Sequence, residues 1–549
     1  MTRVRRFAVV IGAFVLLCCG GFASSLLASG PAPTTTTQAT TSASTTVVST
    51  APTVLAFSGH GWGHGLGMSQ WGAYGYAQHG WTYDKILAHY YTGTTLGTAK
   101  VSTVRVLVAS EAKPVLSSLV PWTVADSTGT KVQLAAGSLT LSTKLAIAGQ
   151  PALTPPLTFS SAQPLLVDGH AYRGRLVLSL DGKLVDVVNV VALESYVKGV
   201  VPAEMPSSWS SEALKAQAVA SRSYALANLQ KKLPYDLFGD ERSQVYGGVA
   251  AETPATDAAV DATKGQVVLY DGKVADTLFF SSSGGRTASA LESTGVAVPY
   301  LVSVADPYDS ISPYHDWGPV LFDAAKVAKE LKMVGPIADV QAVNGTSGRV
   351  KTMTLSSADD SATTLTGNQV RTDLDLRSTW FTPALLGIAA SAKTMTYGGA
   401  VSLSGFARGA QGVSLEAKTA ATGWTPAGAL ILDESGAFST VLKPVVTTSY
   451  RLAWGDVRAG LAKVSVAARV TGTISASGAQ GTERPAVAGA AIELQQQQAD
   501  GSWATVSSST ADSTGAWSFG GTLQPGTYRV RSAPGHGVAA GTSASLVVQ

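Results

Sequence analysis

Val188 to Pro206 reads VNVVALESYVKGVVPAEMP, and a few residues later Glu212 to Leu226 reads EALKAQAVASRSYAL. Val187 to Val191 is a short apolar run preceded by Asp186, the mark of a strand. Ser210 or Ser211 then caps a helix whose first turn carries Glu212, favourable at the positive end of the dipole. Leu214, Ala218, Ser221 and Ala225 fall on about one face of that helix, which is expected to run to Gln230, with Pro234 shortly beyond. Between strand and helix, Pro202 and Pro206 bracket Glu204 and are expected to stiffen its backbone in a stretch just before the helix. Further strands are expected at Val104 to Val108 and Leu176 to Leu180, so Val54 to about Thr382 reads as one mixed α+β domain.

Apolar neighbours on both sides of Glu204 would partly desolvate it. Desolvation raises a carboxyl pKa toward the range where the group can protonate a glycosidic oxygen near neutral pH. The same position also reads as a solvated loop glutamate near a helix N-terminus.

Gly59 to Ala73, GHGWGHGLGMSQWGA, is the most unusual segment. Its glycines lack the G-x-G-x-x-G spacing of a dinucleotide loop. His60 and His64 are four apart, but the glycines between them disfavour a helix and no Glu follows the first His, so a helical zinc motif is excluded. Two readings stand: a groove wall whose amides and imidazoles meet a hydroxyl-rich ligand, or a tight turn with satisfied histidines. Gln244 to Gly248 and Phe279 to Thr287 are polar, glycine-containing turns beside apolar strands, the kind of loop that carries binding residues or simply turns the chain. Ser195-Tyr196-Val197-Lys198 matches S-x-x-K, yet the S-D-N and K-T-G companions of a serine acyl-enzyme are missing.

Arg3, Arg5 and Arg6 precede an apolar stretch from Phe7 to Leu27, the pattern of an export signal, and the stretch is long enough to read equally as a retained anchor. Both cysteines, Cys18 and Cys19, lie within it, so the rest of the chain offers no thiolate chemistry. Thr34 to Thr53 is nearly all Thr, Ser, Ala and Pro and reads as a stalk. The net charge of +3 is spread without basic runs or interleaved aromatics, which excludes nucleic acid as a partner.

The last part repeats itself. Trp424 precedes Gly436-Ala437-Phe438-Ser439 by the interval that separates Trp503 from Gly515-Ala516-Trp517-Ser518, and Tyr450-Arg451 and Tyr528-Arg529 follow at nearly equal distance. Two small β-sandwiches are expected, as spacers or as wall-binding units. The expected organisation is thus a signal peptide or anchor at 1–30, a linker at 31–53, the mixed domain at 54–382, and β-sandwich domains at 383–466 and 467–549.

Together these strings, with Tyr83 to Gly93 (YDKILAHYYTG), Tyr172-Arg173-Gly174, Asp306-Pro307-Tyr308 and Pro313-Tyr314-His315, resemble the SpoIID/LytB family of stage II sporulation protein D and an amidase enhancer. The resemblance implies a SpoIID-like fold and an extracytoplasmic, cell-wall-associated protein, either a lytic transglycosylase with Glu204 as its acid/base or a non-catalytic glycan-binding enhancer of a cell-wall amidase. It implies a glycan groove lined by His60, His64, Gln70, Gln244, Tyr246, Ser281 and Arg286, and peptidoglycan strands and a cell-wall amidase as partners, with the membrane reached only through the N-terminal segment. Two departures from the family stand out. The glycine-rich segment, which usually closes the family domain, opens it here, as in a circular permutation. Phe238 to Ser243 has no Cys or His where some relatives hold zinc, so no metal and no cofactor are expected.

Overall fold

The strand expected around Val187 is Leu184–Ala192, the third strand of a seven-stranded sheet. In order across the sheet lie Leu237–Phe238, Thr103–Glu111, Leu184–Ala192, Arg175–Asp181, Leu157–Ser161, Trp122–Ala125 and Lys131–Leu134. All neighbours pair antiparallel except Leu237–Phe238, which runs parallel to Thr103–Glu111. The chain is described over residues 53–99, 103–359 and 361–549 of a computed structural model. The expected export segment, and the linker up to residue 52, lie outside the described residues. Among the described residues no helix is long and apolar enough to cross a membrane.

Four helices place the site. They are α1 (Gln70–Gln78), α2 (Tyr83–Tyr90), α3 (Leu193–Glu204) and α4 (Ser211–Ala227). Helix α3 follows the Leu184–Ala192 strand without a break and corrects the expectation of a pre-helical turn: Pro202 lies inside it and Glu204 is its last residue. Leu193, Tyr196, Val197, Val200 and Val201 are buried at helical spacing, and burying that stripe outweighs the hydrogen bond Pro202 cannot donate. Helix α4 ends at Ala227 rather than Gln230, because Asn228 caps it and turns an amide back to the Tyr224 carbonyl. Its small residues let it be buried nearly all round, and its fully buried Arg222 grips Glu194 at the start of α3 through Nε (3.0 Å) and Nη2 (2.7 Å). That fork ties the start of the helix that carries Glu204 to the core.

Strand Val54–His60 sits inside a five-stranded sheet, between Asp316–Asp323 and Phe381–Ala390, with Val401–Arg408 and Ala437–Leu442 beyond. Both faces of this sheet are buried. Leu55, Phe57, Phe381 and Leu385 enter a core with Val327, Met353 and Val370, whereas Ala56, Ala384, Leu386 and Ile388 enter another with Leu415, Leu452 and Val464. The boundary expected at 382/383 therefore falls within a strand that pairs to both sides. The first tail unit shares its sheet with the preceding domain, because Val54–His60 alternates apolar side chains toward both cores.

Beyond Ala467 a three-stranded and a five-stranded sheet enclose their own core around Ile492, Leu494, Trp517 and Val530. The repeat read from sequence has a physical counterpart: Arg451 lies over the Trp424 ring at 4.1 Å and Arg529 over Trp503 at 4.4 Å.

Candidate active site

Glu204 ends α3 where the unpaired carbonyls of a helix disfavour a negative charge. The Gln70 amide Nε2 donates to Oε2 at 3.3 Å, and the Val245 backbone N–H donates to Oε1 at 3.3 Å. Burial raises the carboxyl above its ordinary range, and the two donors hold it back while Glu241 adds to the rise. The group is densely surrounded yet keeps some access to solvent, which leaves a route for a ligand.

Gln70 is the first residue of α1, and an unusual anchor fixes that helix start. Ser69 caps α1 by accepting the Gly72 N–H at 3.1 Å, and its own hydroxyl donates to Asp309 at 2.8 Å. Fully buried Asp309 also accepts from the Ser282 hydroxyl, from the Ser283 and Gly284 N–H groups at 2.8 and 2.9 Å, and from His315 Nδ1 at 3.1 Å. Charge-assisted bonds of this kind contribute about 1.5–3 kcal/mol each, so one carboxylate locks the glycine-rich segment, the serine-glycine turn and the 307–315 stretch together. Arg349, also buried, donates to the Ser283 and Arg286 carbonyls from the other side. Neither residue carries a signal in the sequence, since both act on partners distant in the chain.

The glycine-rich segment approaches protein backbone rather than leaving a ligand surface at every position. Gly67, at φ +74°, is held where an added Cβ would lie 2.0 Å from the Leu278 carbonyl oxygen. Met68–Ser69 pairs in parallel with Phe279–Phe280 there, so the glycine-rich segment docks on a turn about 200 residues further along the chain.

His64 is not the ligand group of the groove-wall reading but the satisfied histidine of the other. Its Nε2 bonds the Phe279 carbonyl at 3.0 Å and its Nδ1 accepts the Leu66 N–H at 3.0 Å. Burial first, then the positive charge of Arg371, lowers its pKa to about 4, so it is a neutral structural group. Tyr246 is likewise withdrawn: its ring packs beneath Gly199 of α3 and its hydroxyl donates to buried Asn189 at 3.0 Å. His60 is turned to Asp316 at 2.6 Å and lies beside Trp380, and Arg286 is exposed, with its carbonyl held by Arg349.

The structure does bring Gln70, Gln244 and Ser281 around Glu204 and the start of α1. Gln244 precedes Val245, is buried, and receives the Tyr196 hydroxyl on Oε1 at 3.1 Å, while its Nε2 has no partner among the described residues. Ser281 contributes its carbonyl to the Trp71 N–H at 3.0 Å. Ser195 and Lys198 do not form an acyl-transfer pair, because Lys198 Nζ is engaged by Asp261 at 2.9 Å. Among the described residues no three His, Cys, Asp or Glu side chains gather as a metal site.

A family model described as stage II sporulation protein matches residues 181–270, which include α3, Glu204, α4 and the Gln244 turn. An uncharacterised protein of Brachyspira hyodysenteriae is 35% identical over 214 residues, covering 37% of this chain and 58% of that protein. The amidase enhancer of Bacillus subtilis is 38% identical over 140 residues, 26% of this chain but only 19% of the enhancer. Stage II sporulation protein D of Bacillus subtilis is 32% identical over 252 residues, 42% of this chain and 71% of the relative.

Proposed function

Because the chain belongs to the stage II sporulation protein D family, we propose that it cleaves the glycan strands of peptidoglycan outside the cytoplasmic membrane, as a lytic transglycosylase with Glu204 as its single acid/base. The observation that carries this reading is the setting of that carboxyl at the end of α3, where burial raises it above the ordinary carboxylate range and Gln70 and Val245 position it. In the first half of the reaction Glu204 gives its proton to the oxygen between N-acetylmuramic acid and N-acetylglucosamine as the bond from that oxygen to the anomeric carbon breaks. In the second half the muramic 6-hydroxyl bonds to the anomeric carbon and its proton returns to Glu204, leaving a 1,6-anhydro end. The carboxyl ends as it began, and the scheme uses no second carboxylate, no metal and no cofactor, unlike two-carboxylate hydrolysis. The N-terminal segment provides export or anchorage, and the two tail units act as spacers.

A second reading, a glycan-binding protein that enhances a cell-wall amidase without cutting strands, is supported by the similarity to the amidase enhancer. Purified glycan strands freed of peptide distinguish the two. Mass spectrometry of the soluble fraction should find fragments lighter than hydrolysis products by one water. Intact strands after prolonged incubation, together with stimulation of an added amidase, would sink the transglycosylase reading.

A further inference from the structure

Helix α1 and the connection after α3 bring three large aromatic rings together beside Glu204. Trp71 follows Gln70, whose amide reaches the carboxyl, and Tyr74 stands one turn on along the same face of α1. Trp209 comes from the other side, on the short link that leaves Glu204, where its N–H closes a turn on the Pro206 carbonyl at 3.0 Å. The Tyr74 and Trp209 rings lie parallel, 4.6 Å apart with 9° between planes, and Trp71 meets Trp209 edge-on at 4.7 Å. None of the three is fully buried, and Ala203, Pro206 and Ser208 beside them are exposed. Rings that served only to close the core would be covered, as Tyr90, Tyr91 and Tyr196 are.

From this geometry we infer that Trp71, Tyr74 and Trp209 form a sugar-stacking subsite that holds one N-acetylhexosamine ring of the strand beside the carboxyl of Glu204. Such a ring carries its hydroxyl and acetamido groups around its rim and leaves C–H faces that lie flat on indole or phenol, while the rim groups remain free for polar neighbours. The platform is supplied by α1, which also supplies Gln70, and by the link that leaves Glu204, so a sugar seated on it lies next to the elements that hold the carboxyl. The inference rests on the glycan reading proposed above, but it concerns binding and does not require that the strand be cut.

The test is therefore made in a Glu204→Gln background, where turnover is removed. Tetrameric N-acetylglucosamine is titrated by calorimetry and by tryptophan fluorescence against four further variants: Trp71→Ala, Trp209→Ala, Trp209→Phe and Trp503→Ala. Loss of one stacking ring should give a roughly three- to tenfold loss of affinity for either alanine variant at the platform. Trp209→Phe should recover most of it, and Trp503→Ala, on the last β-unit, should bind like the parent. Should Trp209→Ala unfold, Trp71→Ala carries the test, because Trp71 is not part of the apolar cluster that Tyr74 and Trp209 adjoin. Parental affinity in a folded Trp71→Ala or Trp209→Ala protein would overturn the subsite, as would an equal loss in Trp503→Ala. Absence of strand cleavage by the wild type, with the binding pattern intact, would remove the proposed reaction and leave the subsite standing.

Discussion

Replacing Asp306 by Asn should make the protein more stable at neutral and alkaline pH. Asp306 is fully buried, next to buried Asp309 and behind Gly72, where an added Cβ would lie 2.1 Å from the Tyr90 hydroxyl and 2.3 Å from Asp306 Oδ2. Burial first, then the charge of Asp309, pushes its carboxyl from 3.8 up to about 7. In the unfolded chain the group ionises at its ordinary value, so between these two values the folded state holds a proton the unfolded state has lost. Stability from Asp306 is full below the unfolded value and is lost as pH rises through the folded one. The loss is ~1.4 kcal/mol per pH unit and on the order of 4 kcal/mol across the window. Asparagine has nearly the same shape and does not titrate, so the variant should gain that amount over wild type between about pH 4 and pH 8. Urea unfolding followed by tryptophan fluorescence at several pH values reads the difference. A difference that does not change with pH, or an alkaline loss in the variant, would show that Asp306 is ionised and paired in the folded protein.

Two further outcomes follow from the packing. A chain ended at Thr382 loses most of the strand that pairs with Val54–His60 and should be insoluble or unfolded, whereas one ended at Ala467 keeps that sheet and should fold; a soluble, cooperatively melting protein ending at Thr382 would contradict the shared sheet. Gln70→Ala removes a donor that favours the Glu204 carboxylate, and Glu241→Gln removes a like charge. The alkaline limb of strand cleavage should move to higher pH in the first and to lower pH in the second; shifts of the same sign would reject Glu204 as the titrating group.

Much of this was legible in the sequence. The strands around Val187, Val104 and Leu176 and helix α4 follow from local pattern, and the tail repeat recurs as matched Trp–Arg pairs. Helix α3 was hidden because Pro202 and Pro206 are strong local breakers, whereas the stripe from Leu193 to Val201 gains its weight only from the core it enters. Asp309, Arg222 and Arg349 could not be found locally, since a buried charge takes its meaning from its partners, and Ser69 lies 240 residues from Asp309. Sequence chemistry left the histidines of the glycine-rich segment open between ligand groups and satisfied members of a tight turn. The fold uses His64 in the second way, bonding backbone on each side, and the partner Phe279 carbonyl lies too far along the chain for spacing to have decided between the two. The shared sheet was missed for a related reason: alternation in Val54–His60 reports two buried faces but not which parts of the chain cover them.

The most direct test of the account compares wild type with Glu204→Gln on peptide-free glycan strands, with circular dichroism establishing that both are equally folded. The substitution keeps size and hydrogen-bonding capacity and removes the transferable proton, and general acid/base catalysis supplies on the order of 10²–10⁴-fold. Mass spectrometry should show 1,6-anhydro fragments from the wild type and none from Glu204→Gln, which still binds the strands. Anhydro fragments released by the variant at the wild-type rate would contradict the assignment of Glu204 as the acid.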